Sequence, residues 1–475
     1  MPQYFRFGLA ALGLAALGTY AAVSASAQQQ PPPAPGCPLQ GWAENLSNYQ
    51  KPDAAFPTQD TPVSAPDCNF HQWSFEAFVW ATALDSNGVP RFMTLPTEAD
   101  LLSPNVTAAT PHPRPLQLAA RSMIDFGLPG FSEGAGSFVE ADGNVLVAPN
   151  GYPVYDSVHM NPAYFATAKQ NLIVNGGYGR QPQSSTFPIG AAVFKATWLR
   201  LAPGEQAPAG AFSTQAQVPV LTELRTKTSV AIVPVPGQFV TATVVLVGLH
   251  VVGETINHQE FLWGTFEQKL NAPSIPDNTF TTSGSNPNNF TFYRANTSFA
   301  QVNQPFTPPS LTFNPATQRF SPPNNAVLEN QTGGENTVGP QNQPWGVGNV
   351  LAVNAQGQGF LANEKPPQSV FANYNLIGTV WMAPNTYNLT SNQTNALGSV
   401  NLANVTAETY VQAANNTPIS GVLNCFLCHN ATSYSFQSSP PPLADRLIAL
   451  SHALAVDTPY ATPNAIIGRA PGSFR

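Results

Sequence analysis

The stretch FVTATVVLVGLHVV, residues 239–252, decides the fold that the sequence predicts. Nine of its fourteen residues are β-branched or aromatic, and such side chains pack well on the pleated surface of a sheet. Stretches of similar composition occur at residues 191–201, 230–235 and 374–382. Together they predict the strands of a β-rich core.

Two dipeptides typical of hairpin turns lie earlier in the chain than these stretches. They are Asp142-Gly143 and Asn150-Gly151, and short runs that contain valine lie beside them. This pattern predicts a three-stranded meander around residues 142–155.

Two segments have apolar residues at helical spacing. Residues 68–84 carry apolar side chains on both sides of such a helix, which predicts that most of its surface is buried. One side has Phe70, Trp73, Ala77, Trp80 and Leu84, and the other has Phe75, Phe78 and Val79. Residues 443–456 place leucines on one stripe and predict a C-terminal helix. Residues 281–296 and 301–345 are rich in Asn, Gln, Pro, Ser and Thr without periodicity, and they predict long surface loops.

The composition of the chain argues against two kinds of partner. The 475 residues include only 9% charged side chains, and the net charge is −7. Nucleic acids and anionic membrane surfaces are bound through basic patches, so neither is expected as a partner.

The N-terminal residues have the pattern of an export signal. Arg6 precedes an apolar run at residues 9–23, and a small-residue cleavage site ends at Ala27. We expect residues 1–27 to be a signal peptide and residues 28–36 to be a disordered lead-in. No later apolar segment is long and uninterrupted enough to span a bilayer. The mature chain is therefore expected in the periplasm without a membrane span, where disulfides persist.

The sequence CFLCH, residues 425–429, has the C-x-x-C-H spacing of covalent haem attachment. Cys425 and Cys428 can each add to a vinyl group of one porphyrin, and His429 can then bind the iron as proximal ligand. A thioredoxin-like redox pair, a structural disulfide and half of a zinc site are alternative interpretations. No βαβ pattern and no second C-x-x-C accompanies the motif, which favours one covalent haem c.

A run of three prolines follows the motif, and its middle residue lies twelve residues after His429. This resembles small class I cytochromes c, in which a proline carbonyl accepts a hydrogen bond from the proximal histidine. The resemblance implies that Pro441 accepts the ring N–H of His429 and fixes the orientation of the imidazole. A proline-rich linker is the alternative interpretation of the same run.

The position of the sixth iron ligand departs from the class I pattern. In that class a downstream methionine binds the iron, whereas here the last methionine, Met382, precedes the motif. His452 is the downstream histidine and the first candidate. Met382, His71, His250 and an open iron position are the alternatives.

Three residues of the quoted stretch and its continuation are spaced four apart. On a helix, His250, Glu254 and His258 would share one face, as a metal site requires. On a strand, four residues span about 13 Å, which is too far for a shared ion. The composition of this segment predicts a strand that leads into a polar loop.

The two remaining cysteines, Cys37 and Cys68, are candidates for a structural disulfide. This bond would hold the N-terminal segment to the start of the aromatic helix; two separate buried thiols are the alternative. Within that helix His71, Trp73 and Trp80 are interpreted as core residues, with a ligand pocket as the less favoured interpretation.

Four parts of the sequence, together with the export signal, carry a resemblance to a known group. They are FHQW at residues 70–73, GLHVVG at 248–253, FLWGTFE at 261–267 and CFLCH at 425–429. The chain resembles large exported bacterial proteins of the cytochrome c family over most of its mature length. The resemblance implies the compartment and the haem, and it supplies neither a substrate nor a fold.

These observations predict an α+β fold. It has a β-rich core with long Asn- and Pro-rich loops, a buried N-terminal aromatic helix and a helical C-terminal haem c segment. Residues 37–370 are expected to form the main domain and residues 371–475 the haem-binding region. The predicted function is electron transfer with an unidentified redox protein as partner. The alternatives are a haem-dependent peroxidase or oxidoreductase with an open sixth iron site, and a haem-free binding protein with a C-x-x-C disulfide.

Overall fold

The computed structural model is a β-rich α+β fold with a nine-stranded sheet in the part of the chain that it describes. The helices are α1 (Trp42–Asn45), α2 (Cys68–Thr82), α3 (Pro162–Val174) and α4 (Gly346–Ala362). The strands are β1 (Leu116–Gln117), β2 (Met123–Ile124), β3 (Val154–Met160), β4 (Ala192–Arg200), β5 (Ser213–Arg225), β6 (Val230–Gly253), β7 (Leu262–Gln268), β8 (Thr312–Asn314), β9 (Arg319–Ser321), β10 (Tyr374–Met382) and β11 (Ala396–Gly398). Short 3₁₀ helices are Leu46–Gln50, Arg91–Thr94, Gln368–Asn373 and Thr409–Val411.

The structure describes a defined set of residues, all within one unit, Pro33–Arg475. They are residues 37, 39–60, 68–97, 100–101, 115–118, 123–124, 145–174, 187–225, 230–273, 290–295, 297, 301–305, 311–328, 346–382, 396–399, 402–411 and 425. None of the helices in these ranges is long and apolar enough to cross a membrane.

The sheet is organised around β6, which contains the quoted stretch. Its second half pairs with β4 on one side and β7 on the other, and its first half pairs with β5. The sheet continues through β3 beside β4, and through β10 and β11 beside β7. These pairings are antiparallel, whereas β1 pairs with β5 in parallel. The two stretches predicted separately at residues 230–235 and 239–252 thus belong to one strand.

Alternation along β6 gives the sheet two faces of different character. Leu249 and Val251 contribute to the largest hydrophobic core, and Val252 contributes to a second cluster on the opposite face. His250 lies on the same face as Val252 because successive side chains of a strand point to opposite sides. Both faces are therefore covered, which explains why β6 has so few polar residues in its second half.

The first face of the sheet is covered by α2 and α4. Twelve of the fifteen residues of α2 are buried, so the predicted buried helix is confirmed. It approaches the sheet closely at Gly264, where a Cβ would lie 2.7 Å from the Cβ of Ser74. The Ser74 hydroxyl also lies 2.7 Å from that of Thr379 on β10. A glycine on the sheet and a small polar residue on the helix thus fix the distance between the two layers.

The second face is covered by α3 and by residues 402–411. Asn161 begins α3 by accepting the backbone N–H of Tyr164 with its side-chain oxygen, at 2.9 Å, and Pro162 follows at the first helical position. The same oxygen accepts the N–H of Ala192 at 3.0 Å, which attaches the helix to the start of β4.

The N-terminal segment is attached to α2 by a covalent bond and by a partly buried carboxyl group. Cys37 and Cys68 form a disulfide with a Cα–Cα distance of 5.3 Å. Glu76 accepts hydrogen bonds from the Trp42 indole N–H at 2.8 Å and from the Tyr49 hydroxyl at 2.9 Å. The disulfide predicted between these two cysteines is therefore present in the structure.

The region predicted as a meander is described in part, from residue 145 onwards. A tight turn is present at Asn150-Gly151, where Gly151 has a φ of +85° and its N–H bonds to the carbonyl of Ala148. The strand that follows, β3, pairs with β4 along its whole length. The residues on either side of this turn pair through a bridge between Val147 and Pro153 and through two backbone hydrogen bonds, from Ala148 N–H to the Tyr152 carbonyl and from Val154 N–H to the Leu146 carbonyl. The turn at Asn150-Gly151 was therefore predicted correctly. The turn predicted at Asp142-Gly143 lies outside the described residues, so the three-stranded meander stays a prediction.

Two other expectations are modified by the structure. The predicted loop at residues 301–345 contains a two-stranded hairpin, β8 and β9. The predicted domain boundary at 370/371 lies just before β10, which pairs with β7 in the main sheet. The described residues 371–411 are therefore part of the main domain, because the sheet continues across that boundary. The signal peptide, the lead-in and the helix predicted at 443–456 lie outside the described residues.

Candidate functional site

Cys425 is the residue of the C-x-x-C-H motif that the structure describes, and it is half-buried. It packs against a cluster of fifteen buried residues, which we call the Cys425 cluster. The cluster consists of Leu101, Met160, Tyr164, Phe165, Ala168, Phe187, Ala191, Val252, Phe261, Trp263, Leu328, Ile377, Val380, Met382 and Leu402. Cys428, His429, Pro441 and His452 lie outside the described residues.

The Cys425 cluster is built on the second face of the sheet. Val252, Trp263 and Val380 are register partners on β6, β7 and β10, so their side chains form a row across three strands. The helix α3 adds Tyr164 and Phe165 from above this row. The side of the sheet that receives Cys425 is thus an apolar surface made by four elements.

Aromatic rings form one end of this cluster. The rings of Tyr164 and Phe187 are stacked with centroids 4.2 Å apart, and Phe187 lies 5.4 Å from Phe261. Phe261 has a φ of +70°, an uncommon backbone conformation for an aromatic residue. Since such conformations persist only where the surroundings enforce them, the turn before β7 is held in a defined shape.

Of the candidates for the sixth iron ligand, Met382 is the one that the structure places in the Cys425 cluster. A second methionine, Met160, lies in the same cluster and was not singled out from the sequence. A thioether is a ligand of haem iron in c-type cytochromes. The cluster therefore contains two side chains of a suitable chemical type.

The structure places His71 and His250 elsewhere. His71 is on α2, where its Nδ1 lies 3.1 Å from the hydroxyl of Thr379, and burial lowers its pKa to about 3. His250 lies beside Glu408, with 3.2 Å between Nε2 and Oε1. Both imidazoles have polar partners and neither belongs to the Cys425 cluster.

A row of polar residues crosses the second face next to this cluster, beneath residues 402–411. Lys195 Nζ lies 3.6 Å from Asp156 Oδ2, and burial lowers the pKa of Lys195 to about 8. Glu408 is also buried, which raises its pKa, but His250 and Lys195 outweigh burial and lower that pKa overall. Glu267 accepts the backbone N–H of Val405 at 2.8 Å. These contacts attach residues 402–411 to the sheet.

The turn between β6 and β7 holds a second group of titratable residues, the turn cluster: Asp60, Glu254, His258 and Glu260. All four are at most 6% exposed. His258 Nδ1 lies 2.7 Å from Glu260 Oε1, and its Nε2 lies 3.9 Å from Asp60 Oδ2. Asp60 also accepts the Thr255 hydroxyl at 2.6 Å.

The structure shows whether His250, Glu254 and His258, which are spaced four residues apart, lie together as a metal site would require. His250 is on β6, whereas Glu254 and His258 follow the strand, as the preferred interpretation predicted. Within the described ranges, no group of three or more His, Cys, Asp or Glu is arranged to hold a metal ion. Asp60 and Glu260 were not identified from the sequence, because Asp60 is distant along the chain and Glu260 has no pattern of its own.

Comparisons with known proteins do not assign a family. No family model matches the chain, and neither the curated proteins nor the solved structures gave a match.

Proposed function

We propose that this chain is a periplasmic c-type haem protein of the cytochrome c family that transfers electrons. Cys425 and Cys428 would hold the haem, and His429 would bind its iron, with Pro441 as acceptor for the ring N–H. The observation that carries the proposal is the C-x-x-C-H motif, whose first cysteine packs on an apolar cluster rich in aromatic side chains. When bound, haem supplies an iron that alternates between ferric and ferrous states.

The residues around Cys425 fit a porphyrin. A porphyrin is a large, mostly apolar ring, and cofactor sites are lined chiefly by hydrophobic and aromatic side chains. The Cys425 cluster offers such a lining through Tyr164, Phe165 and Trp263. Residues after 411 would complete the haem segment, including the helix proposed at 443–456.

The use of cysteines supports the same proposal. The chain has four cysteines, and Cys37 and Cys68 form a disulfide. This leaves Cys425 and Cys428 for the cofactor, with the spacing that thioether attachment requires.

The first prediction concerns the presence of haem. We expect the protein, exported from cells with a cytochrome c maturation system, to give a reduced pyridine haemochrome spectrum of the c type. A Cys425→Ser/Cys428→Ser variant should lose the covalent haem. The matched control is Cys37→Ser/Cys68→Ser, which removes two other cysteines and should keep the haem wherever the protein folds.

A colourless, folded and exported parent protein would contradict the proposal. It would favour a binding protein with a C-x-x-C disulfide. A haem protein whose ferrous iron binds carbon monoxide at once, without displacing a ligand, would favour the alternative of an oxidoreductase with an open iron site.

The second prediction concerns the sixth ligand, for which Met382 and His452 are the proposed candidates. If Met382 binds the iron, Met382→Leu should abolish the long-wavelength charge-transfer band of methionine-ligated ferric haem and lower the reduction potential. Met160→Leu is the matched control, since it makes the same change in the same cluster. If the parent protein lacks this band and His452→Ala changes its spectrum, the ligand is His452.

A further inference from the structure

The turn cluster lies directly beside the Cys425 cluster. The backbone N–H of Glu254 bonds to the carbonyl of Ala191 at 2.9 Å, and the N–H of Gly190 bonds to the carbonyl of Glu254 at 3.0 Å. Ala191 belongs to the Cys425 cluster, as do Val252 and Phe261 on either side of the turn. The backbone that carries the titratable side chains thus also carries part of the apolar surface against which Cys425 packs.

Within this turn, Glu254 has a side chain that is buried without a full set of partners. The residue is 2% exposed, and its Oε2 has no hydrogen-bond partner among the described residues. A buried carboxylate without hydrogen bonds is strongly destabilised relative to the neutral acid. Burial, together with the charge of Glu260, raises the pKa of Glu254 to about 8.

Glu254 interacts electrostatically with another member of the turn cluster. Glu260 is the charged group that acts on Glu254, and it is in turn bonded to His258. His258 also faces Asp60, which comes from a segment distant in sequence. Gly190 and Ala191, which precede β4 and bond to the backbone of Glu254, bring no charged side chain to the turn cluster. Among the described residues, no lysine or arginine bonds to this group.

The charge balance of the turn cluster is therefore sensitive to one proton. Asp60 accepts three hydrogen bonds, from the Thr255 hydroxyl and from the backbone and side-chain N–H groups of Asn257. Glu254 has no such donors to its Oε2. A change in charge nearby is thus most easily compensated by a proton at Glu254.

We propose that Glu254 is a redox-linked proton site, at which one proton binds from solvent when the iron of the proposed haem accepts one electron. This rests on the proposed function, because the electron arrives at that iron from a reduced one-electron donor protein. No bond other than the O–H bond of Glu254 forms, and the proton leaves again on oxidation. The turn cluster therefore makes electron transfer depend on pH.

The physical reason for the coupling is electrostatic. Reduction removes one positive charge from the iron, and in an apolar surrounding this change is poorly screened. The carboxylate of Glu254 then becomes less favourable than the neutral acid. Linkage requires the converse as well: protonation of Glu254 raises the affinity of the iron for an electron.

The test uses the full exported holoprotein. Its reduction potential is measured across about pH 6 to 9, the range that brackets the pKa of Glu254. We expect the wild-type potential to fall with rising pH as Glu254 titrates, and the Glu254→Gln variant to have a flat profile there. Gln is nearly isosteric with the neutral acid, so the variant should fold. Glu44→Gln, the same change at an exposed position, should keep the wild-type slope.

A second measurement does not require haem. Infrared spectroscopy of the protein at neutral pH should show the C=O stretch of a protonated carboxylic acid, and Glu254→Gln should remove part of it. Glu267→Gln and Glu76→Gln identify the contributions of two further glutamates whose pKa is raised by burial.

The outcomes are distinguishable. A protein without haem overturns the proposed function and the coupling together, whatever the infrared result. A haem protein with a pH-independent potential, or one whose Glu254→Gln variant keeps the wild-type slope, overturns only the proton site. An infrared spectrum that Glu254→Gln leaves unchanged does the same, because it shows Glu254 to be ionised.

Discussion

At the residue scale, Glu267 shows how a buried carboxyl group can weaken a fold as pH rises. It is on β7 in the polar row, and burial, only partly offset by the Val405 N–H, raises its pKa from its usual 4.5 to about 8. The folded protein therefore keeps a proton that the unfolded chain releases above about pH 4.5. Its contribution to stability is complete below that pH and is lost as pH rises towards 8.

This leads to a prediction for Glu267→Gln. Gln retains an oxygen to accept the Val405 N–H and cannot ionise, so the variant should be more stable than wild type at about pH 8, by on the order of a few kcal/mol. The difference should disappear at about pH 4.5. Urea unfolding at both pH values measures it, with Glu44→Gln as the exposed control. Equal stability at the higher pH would contradict the assignment.

At the element scale, α2 depends on the segment that precedes it. The disulfide closes a loop with a sequence separation of 31 residues, and Glu76 bonds to Trp42 and Tyr49 from within the same helix. The disulfide restricts the conformations of the unfolded chain, and Glu76 accepts two hydrogen bonds in the folded chain. The N-terminal segment is therefore held by two interactions of different physical origin.

We expect Cys37→Ser/Cys68→Ser to lower the free energy of unfolding by about 3–4 kcal/mol, the chain-entropy value for a loop of this length. Denaturant titration of the variant and the wild type measures the difference. A strong reductant should reduce the stability of the wild type by a similar amount and leave the variant unchanged. If the variant is as stable as the wild type, the loop is already restricted in the unfolded chain.

Glu76 gives a separate prediction at the same scale. Glu76→Ala leaves the Trp42 and Tyr49 donors without their acceptor, at a cost of about 1–3 kcal/mol for the buried Trp42 N–H and less for the partly buried Tyr49 hydroxyl. Glu76→Gln should cost less, because its amide oxygen can still accept one of the two bonds. Thermal unfolding ranks the three proteins. The order wild type, Gln, Ala is expected, and a stable Ala variant would show that water replaces the carboxyl group.

At the scale of the whole molecule, local composition predicted the elements whose side chains are nearly all apolar. The predicted strand at 374–382 coincides with β10, and that at 191–201 exceeds β4 by one residue at each end. By contrast β5 was missed, since its sequence STQAQVPVLTELR mixes polar residues and a proline. The helix α4 contains four glycines and was also missed. Gly357 packs closely against Phe75 of α2. Contact with α2, rather than intrinsic helix propensity, therefore accounts for a glycine at this position of α4.

For the candidate site, the sequence predicts only the proposed covalent attachment. The spacing of Cys425, Cys428 and His429 is a local pattern, and a sequence displays local patterns directly. The neighbours of Cys425 come from segments between Leu101 and Leu402, and Asp60 meets Thr255 across 195 residues. No spacing rule relates such residues, because the pairing of strands decides which of them meet.

The positions of the Cys425 cluster residues in the sequence determine when they are synthesised relative to Cys425. Its last member, Leu402, precedes Cys425 by 23 residues. Translation adds about 5–20 residues per second, so Cys425 is synthesised about one to five seconds after the whole surface on which it packs. The residues of this surface are therefore synthesised first and Cys425 afterwards.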